Sequence, residues 1–348
     1  MEETSLRIRR PDDFHLHLRE KKMLYTVIRY SAEVFARAII MPNLAEPVRT
    51  AKEVRQYRQS ILEVLRYYGL NEKFTPLMTI QITDETTPAD IAEAKRENVL
   101  AGKFYPKSAK REAKDVTSTS HGVTDFRKLT HVLEAMEKNQ MHALFHAEPP
   151  DTYYTNREVA FLEILEWIRK DFPDLPMVVE HITTREAVYW VTDTPGVAAT
   201  ITLHHLLLTG DDVMGAEFQP HFFCKPLAKR PEDRNALRGA ALSGNPKFFF
   251  GSDSAPWLRE LKEGASCKAG VFTAPAAIPL LAEFFDSCRS LCRLEPFVSE
   301  FGARYYGLDL NLRTIRLVQR EWALPDECDG VVPFCPPREG RQIHWSVE

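Results

Sequence analysis

Phe14-His15-Leu16-His17-Leu18-Arg19 alternates in polarity residue by residue, close to the N-terminus. In an extended strand, residues i and i+2 share a face. His15 and His17 therefore point one way, with Phe14, Leu16 and Leu18 on the other. Two imidazoles on one face make half of a metal site. The same pattern also suits two ordinary histidines on a half-buried strand. What separates the readings is whether further ligands arise where they can reach this pair.

Working outward, eight short apolar runs read as strands: 6–17, 37–41, 77–83, 99–105, 141–146, 177–181, 197–203 and 247–251. Such runs suit strands buried on both faces. Between many of them lie helical patterns. Residues 51–68 place Val54, Tyr57, Ile61, Val64 and Leu65 on one stripe, and 126–136 and 159–168 repeat the pattern. Pro231 stands where a first helical turn begins, ahead of Glu232 and Asp233. Strand alternating with helix means a parallel sheet, and eight strands predict a (β/α)8 TIM barrel. An open doubly wound sheet is the weaker reading, because no G-x-G-x-x-G follows the first strand. The chain reads as one domain over 1–348, with an irregular tail, about 313–348, wrapped on the barrel. A polar stretch at 111–120 reads as a mobile loop.

Composition narrows the class. A length of 348 residues with 44% hydrophobic residues is enough for one large α/β core. A formal net charge of −4, with no basic block, argues against nucleic acid as a partner. The first thirteen residues are charged and do not read as a signal peptide. The most apolar stretch, 273–285, is cut by Pro275 and Pro279 and falls short of a membrane span. Six cysteines without a C-x-x-C pair suggest a reducing compartment and no disulfide framework.

Catalytic groups of such barrels gather at the C-terminal strand ends. Here those ends carry His17, Lys103, His146, His181 and Asp253. Lys103 is the unusual member, lying in the otherwise apolar run Leu100-Ala101-Gly102-Lys103-Phe104-Tyr105. Burying a lysine cation beside dications is unfavourable. Its neutral amine can instead add carbon dioxide, giving an anionic carbamate (N6-carboxylysine) able to bridge two metals. The plainer alternative is a lysine whose stem packs while its head reaches water. Four neutral histidines and one aspartate undersupply negative charge for two dications, which favours the carbamate. Zinc suits imidazole and carboxylate ligands, although manganese or cobalt also fits.

Several pieces of the chain carry a family resemblance. They include residues 9–19, Met41-Pro42-Asn43-Leu44, Lys103-Phe104-Tyr105-Pro106, His121-Gly122-Val123 and His146-Ala147-Glu148. Glu180-His181-Ile182-Thr183-Thr184, residues 226–229, Gly251-Ser252-Asp253-Ser254-Ala255-Pro256 and Trp345-Ser346-Val347 continue the series in order. The chain resembles the short, stand-alone bacterial and fungal dihydroorotases of the amidohydrolase superfamily. The resemblance implies a cytoplasmic, homodimeric enzyme with two zinc ions, acting on a small-molecule substrate. That enzyme interconverts N-carbamoyl-L-aspartate and L-dihydroorotate. It further implies that His15, His17 and Asp253 hold one zinc, that His146 and His181 hold the other, and that carbamylated Lys103 and a hydroxide bridge them. Asp253 is then the general acid and base. Arg19 and Asn43 bind the substrate carboxylate, and Lys225 and Ala269 touch the substrate largely through backbone.

Two departures bear on recognition. Where the family has a carboxylate-binding histidine, this chain has Trp257, with one N–H and no charge. Losing a charge-assisted contact costs roughly 1.5–3 kcal/mol, for which Arg259 is a candidate compensation. The loop at 106–120 is also longer than usual, with Thr117 and Thr119 as candidates to close over substrate. Two other readings therefore stay open: an amidohydrolase for a different cyclic amide or ureide, and an inactive structural homologue.

Overall fold

The computed structural model describes residues 4–108 and 121–348. Thr117 and Thr119, and the whole stretch read as a loop at 111–120, lie outside the described residues.

Eight strands run parallel, each beside its successor in sequence. They are β2 (Asp12–Leu16), β3 (Arg37–Ile40), β4 (Thr75–Ile82), β5 (Ala101–Phe104), β6 (His142–Phe145), β7 (Met177–Val179), β8 (Val197–Ile201) and β9 (Phe248–Phe250). Each of the eight expected runs overlaps one of these strands, with β4 starting two residues before its run. The ring closes just past the strand ends, where Asp253 N–H donates to His15 O at 2.9 Å and His17 N–H to Ser254 O at 3.2 Å. The buried Asp13 carboxylate reinforces that seam, accepting from Ser252 N at 2.8 Å and Ser252 Oγ at 2.5 Å. The result is the TIM barrel that the sequence predicts.

The first run is not one strand. β1 (Ser5–Arg9) leaves the barrel and pairs antiparallel with β10 (Thr314–Val318), which also pairs with a short strand, Ser346–Val347. The break falls at Arg10-Pro11. Proline has no N–H for a ladder. The Arg10 guanidinium instead donates to Ala32 O at 2.8 Å, Glu33 O at 2.9 Å and Val34 O at 3.1 Å. These carbonyls end the helix Lys21–Ala32, so Arg10 caps it and turns the chain. The tail thus contributes a strand that pairs with the N-terminal one. Ile315 and Leu317 are buried while Thr314 is exposed, the alternation of a one-sided strand.

Strict alternation also fails at Phe14. The pairing of β2 with β3 shifts register between Asp13 and Leu16. Phe14 therefore joins the barrel interior with Ile39, Leu144 and Phe249, while Leu16 and Leu18 pack under the outer helices. A bulge adds one residue and inverts the facing beyond it. Below Phe14, the helix Phe301–Tyr305 closes the barrel floor.

The helices form where periodicity and caps agree. Ala51–Tyr67 starts at a Thr50/Glu53 capping box and buries Val54, Ile61 and Val64. Pro231 opens the helix Pro231–Leu242. The helix expected at 126–136 is a 3-10 turn, Phe126–Leu129, followed by Thr130–Lys138.

Candidate active site

Beyond the C-terminal strand ends lies a cavity of about 460 Å³. His15, His17, His146, His181 and Asp253 line it, together with Arg19, Asn43, Lys225, Trp257 and Ala269. Lys103 is fully buried beside them, its Nζ 5.3 Å from the Tyr105 ring centroid and without a hydrogen-bond partner. The structure thus gathers these residues at one end of the barrel.

The imidazoles fall into two groups. His17 Nε2 lies 3.0 Å and His15 Nε2 3.4 Å from Asp253 Oδ1. His146 Nδ1 lies 3.1 Å from His181 Nε2. Two nitrogens on one tetrahedral zinc are spaced about 3.3 Å apart, given Zn–N bonds of about 2.0–2.1 Å. The His15 and His181 rings connect the groups, with centroids 4.9 Å apart.

Carboxylates fix the tautomers. Glu180 accepts from His15 Nδ1–H, so His15 presents Nε2 to Asp253. Glu148 accepts from His146 Nε2–H at 3.1 Å, leaving Nδ1 toward His181. Turning a histidine in this way is how metal ligands are oriented. Neither glutamate figures in the sequence-based site. The signal was present for Glu180, since Val178 faces the interior and period two carries Glu180 with it.

Burial sets the charge states of these side chains. It pushes His17 down to about 4 and His181 well below its usual range, so both are neutral at pH 7. Burial alone would raise Asp253, but the hydrogen bond from His17 and the nearness of His15 hold it below the usual carboxylate range. Burial lowers Lys103 to about 8, against the pull of Glu180 and Asp253. A tenth or so of its amine is then neutral at pH 7, the form that reacts with carbon dioxide. Lys103 Nζ, His181 Nδ1 and Glu180 Oε1 are all buried without partners. Such a set of orphaned donors and acceptors fits a bridging group and ions.

Three site residues hold left-handed backbone: Arg19 (φ 59°), His181 (φ 41°) and Asp253 (φ 43°). For residues other than glycine this costs on the order of 1–3 kcal/mol each. Specific bonds hold each one: Tyr57 OH on Arg19 O at 2.7 Å, His181 N–H on Thr200 Oγ1 at 2.6 Å, and Asp253 N–H on His15 O at 2.9 Å. At His181 the turn sends both it and Glu180 inward, which strict alternation forbids.

On the open side, the Arg19 guanidinium carbon lies 4.4 Å from the Trp257 ring centroid, and its Nε–H donates to Pro256 O at 3.1 Å. Burial lowers Arg19 to about 10, which leaves it charged at neutral pH. Asn43 Oδ1 is buried and unpartnered. Arg259 does not reach the cavity. It pairs instead with Glu327 at 2.8 Å and Glu263 at 3.1 Å. A further cation that lines the cavity, beside Arg19 and Lys225, is Lys268, which sequence reasoning passed over. A second buried trio, His204, His205 and Cys224, is less available: His205 Nε2 lies 3.0 Å and the Cys224 thiol 3.0 Å from Pro226 O.

No family model matches the chain. Curated relatives cover nearly all of it. A dihydroorotase of Acaryochloris marina is 43% identical over 352 residues, covering 98% of each chain. A dihydroorotase of Delftia acidovorans is 43% identical, covering 99% of this chain and 98% of its own. Among solved structures, dihydroorotase from Campylobacter jejuni superposes with a TM-score of 0.87 at 36% identity, covering 99% and 97% of the two chains. Dihydroorotase from Saccharomyces cerevisiae, in complex with 5-fluoroorotic acid, gives 0.88 at 32% identity, covering 99% and 98%. An L-hydantoinase of Arthrobacter aurescens shares the fold, with a TM-score of 0.78 at 14% identity.

Proposed function

The chain belongs to the dihydroorotase family, and from that premise we propose that it interconverts N-carbamoyl-L-aspartate and L-dihydroorotate in pyrimidine synthesis. The observation that carries this reading is the convergence of His15, His17, Lys103, His146, His181 and Asp253 at one cavity.

His15, His17 and Asp253 would hold one divalent ion, His146 and His181 a second, and Lys103, carbamylated on Nζ, would join them. Zinc suits this donor set. Two such ions, when bound, supply polarisation of the ring carbonyl and a water that loses its proton near neutral pH.

The chain's own residues do the rest. Asp253, ionised and oriented by His17, takes the proton of the attacking water at its carboxylate. The water oxygen bonds to the ring carbonyl carbon, and the C–N electron pair leaves with the ring nitrogen. Asp253 returns the proton to that nitrogen. Cyclisation runs the same transfers backward. Arg19 and Asn43 bind the ring carboxylate, for which a guanidinium fork is suited. Lys225 and Ala269 border the same space. A homodimer in the cytoplasm completes the reading. Among the described residues, no helix is long and apolar enough to cross a membrane.

The test is direct. Purified protein loaded with zinc should hydrolyse L-dihydroorotate, cyclise N-carbamoyl-L-aspartate and carry two metal ions per chain. Full metal loading without turnover of either compound would reassign the site to another cyclic amide or ureide. Failure to bind metal at all would make the chain an inactive homologue.

A further inference from the structure

Trp257 stands where the family resemblance implies a carboxylate-binding histidine. Its single N–H is already committed, donating to Ala269 O at 2.9 Å. The indole therefore offers the cavity a π face and no donor. Two cations lie over that ring: the Arg19 guanidinium carbon at 4.4 Å and Lys268 Nζ at 5.7 Å from its centroid. Both are cavity-lining residues.

The backbone around Lys268 is fixed. Its N–H donates to Leu261 O at 3.0 Å. Its carbonyl accepts from Lys262 Nζ at 2.9 Å. Lys262 also donates to Phe223 O at 2.9 Å and Gly270 O at 2.7 Å, so all three of its ammonium protons serve the loop. Lys268 differs: among the described residues, no carboxylate lies within ion-pair distance of it. Arg19 and Lys268 both line the cavity, so an anion held there can meet two positive charges.

We infer that Lys268 supplies the positive charge that Trp257 lacks, so that the carboxylate of the substrate is held by the Arg19 guanidinium and the Lys268 ammonium together. Trp257 is the positioning residue for both. The inference rests on the activity proposed above and narrows its substrate class. The site selects cyclic ureides that bear a ring carboxylate, and an apolar ring without one gains nothing from Lys268. The cation reaches the cavity from the loop after Trp257, eleven residues further along the chain than the histidine it replaces.

The experiment uses the zinc-loaded full chain and two charge-loss variants, K268M and K268Q, beside K268R. Orotate binding is measured by titration calorimetry, and steady-state rates are measured with L-dihydroorotate and with 5,6-dihydrouracil, which has the ring but no carboxylate. Loss of a charge-assisted contact predicts that K268M and K268Q raise the orotate Kd and the dihydroorotate KM by roughly ten- to a hundredfold. The kcat should stay within about threefold, and K268R should recover most of the affinity. Rates with dihydrouracil should not differ between wild type and variants. An orotate Kd within twofold of wild type in both charge-loss variants overturns the role of Lys268, while dihydroorotate turnover by the wild type leaves the activity standing. Wild-type protein that neither binds orotate nor turns over dihydroorotate overturns the activity and this inference with it.

Discussion

The Glu180 carboxylate accepts the Nδ1–H of His15, and this contact decides which nitrogen of His15 faces Asp253. Glu180 is itself held by Thr200 Oγ1 at 2.9 Å, which also takes the N–H of His181 at 2.6 Å. One hydroxyl thus ties together both groups of imidazoles. Glu180→Gln would keep the shape but can present an amide N–H to His15, favouring the wrong tautomer. Loss of such a partner usually costs 10- to 100-fold in metal affinity. Competition with a zinc chelator should show that loss in the variant. Unchanged affinity would mean that His15 is oriented by packing alone.

Lys103→Ala tests the anion at the centre of the site. Without a bridging carbamate, the remaining donors are four neutral rings and Asp253, too little charge for two dications. Metal analysis should give one ion per chain or fewer, with turnover lowered at least about a thousandfold, the scale lost with a metal-held nucleophile. Short carboxylic acids should restore part of both by filling the vacated volume. Two tightly bound metals in Lys103→Ala would end the bridging assignment.

The limits of sequence reading are specific. Strand ends were legible because short apolar runs carry ligand-type residues within or just past their last turns of chain, as Lys103, His146 and Asp253 do. The facing of Phe14 was not, because a register shift inside β2 leaves no local mark in an alternating string. Glu180 did carry a period-two signal from Val178, but choosing His181 under the same period forbids its neighbour, and only a left-handed residue admits both. Arg259 looked close to Trp257 in sequence, yet points into a surface ion pair. Lys268, eleven residues away from Trp257, returns to it through a loop whose path no periodicity encodes.

Trp257→His separates sequence from structure. Sequence alone predicts tighter substrate binding, because a lost cation returns. The structure predicts the reverse. An imidazole in that place gives up the 2.9 Å bond to Ala269 O and most of the ring on which Arg19 lies. An Arg–Trp contact of this kind is worth about 0.5–2 kcal/mol, so KM for dihydroorotate should rise roughly two- to thirtyfold. Trp257→Phe, which keeps a ring but no N–H, should fall between. A lower KM in Trp257→His would restore the simpler view.

Glu158 gives the fold a pH dependence outside the histidine cluster. Its fully buried carboxyl accepts from Thr183 N at 2.8 Å and Thr184 N at 2.6 Å, and also from both hydroxyls. Lys229 and Glu148 are the charged groups that face it. Burial raises it from 4.5 to about 7, against these bonds and Lys229. A folded pKa above the unfolded value means that the folded state holds the proton longer, so stability falls as pH rises from about 4.5 to 7. A shift of that size corresponds to about 3 kcal/mol. The stability difference between wild type and Glu158→Gln, from urea unfolding at pH 5 and pH 7.5, should shift against the wild type by that order. A pH-independent difference would show that the four hydrogen bonds outweigh burial.

The barrel floor offers a test in which two local effects oppose each other. Gly302 lies in the helix Phe301–Tyr305, and a Cβ there would run into the Phe14 ring. Phe14 has nowhere to go: Tyr306 stacks on it at 5.3 Å between centroids, and Phe249 meets it edge-on at 5.3 Å. Helix propensity alone favours alanine over glycine by about 1 kcal/mol. Overpacking of a closed core costs about 1–3 kcal/mol, and here the added atom meets a ring rather than a flexible chain end. Gly302→Ala should therefore unfold at lower denaturant, and, because Phe14 precedes His15, metal affinity should fall with it. A midpoint at or above that of wild type would mean that propensity wins and that the floor can yield.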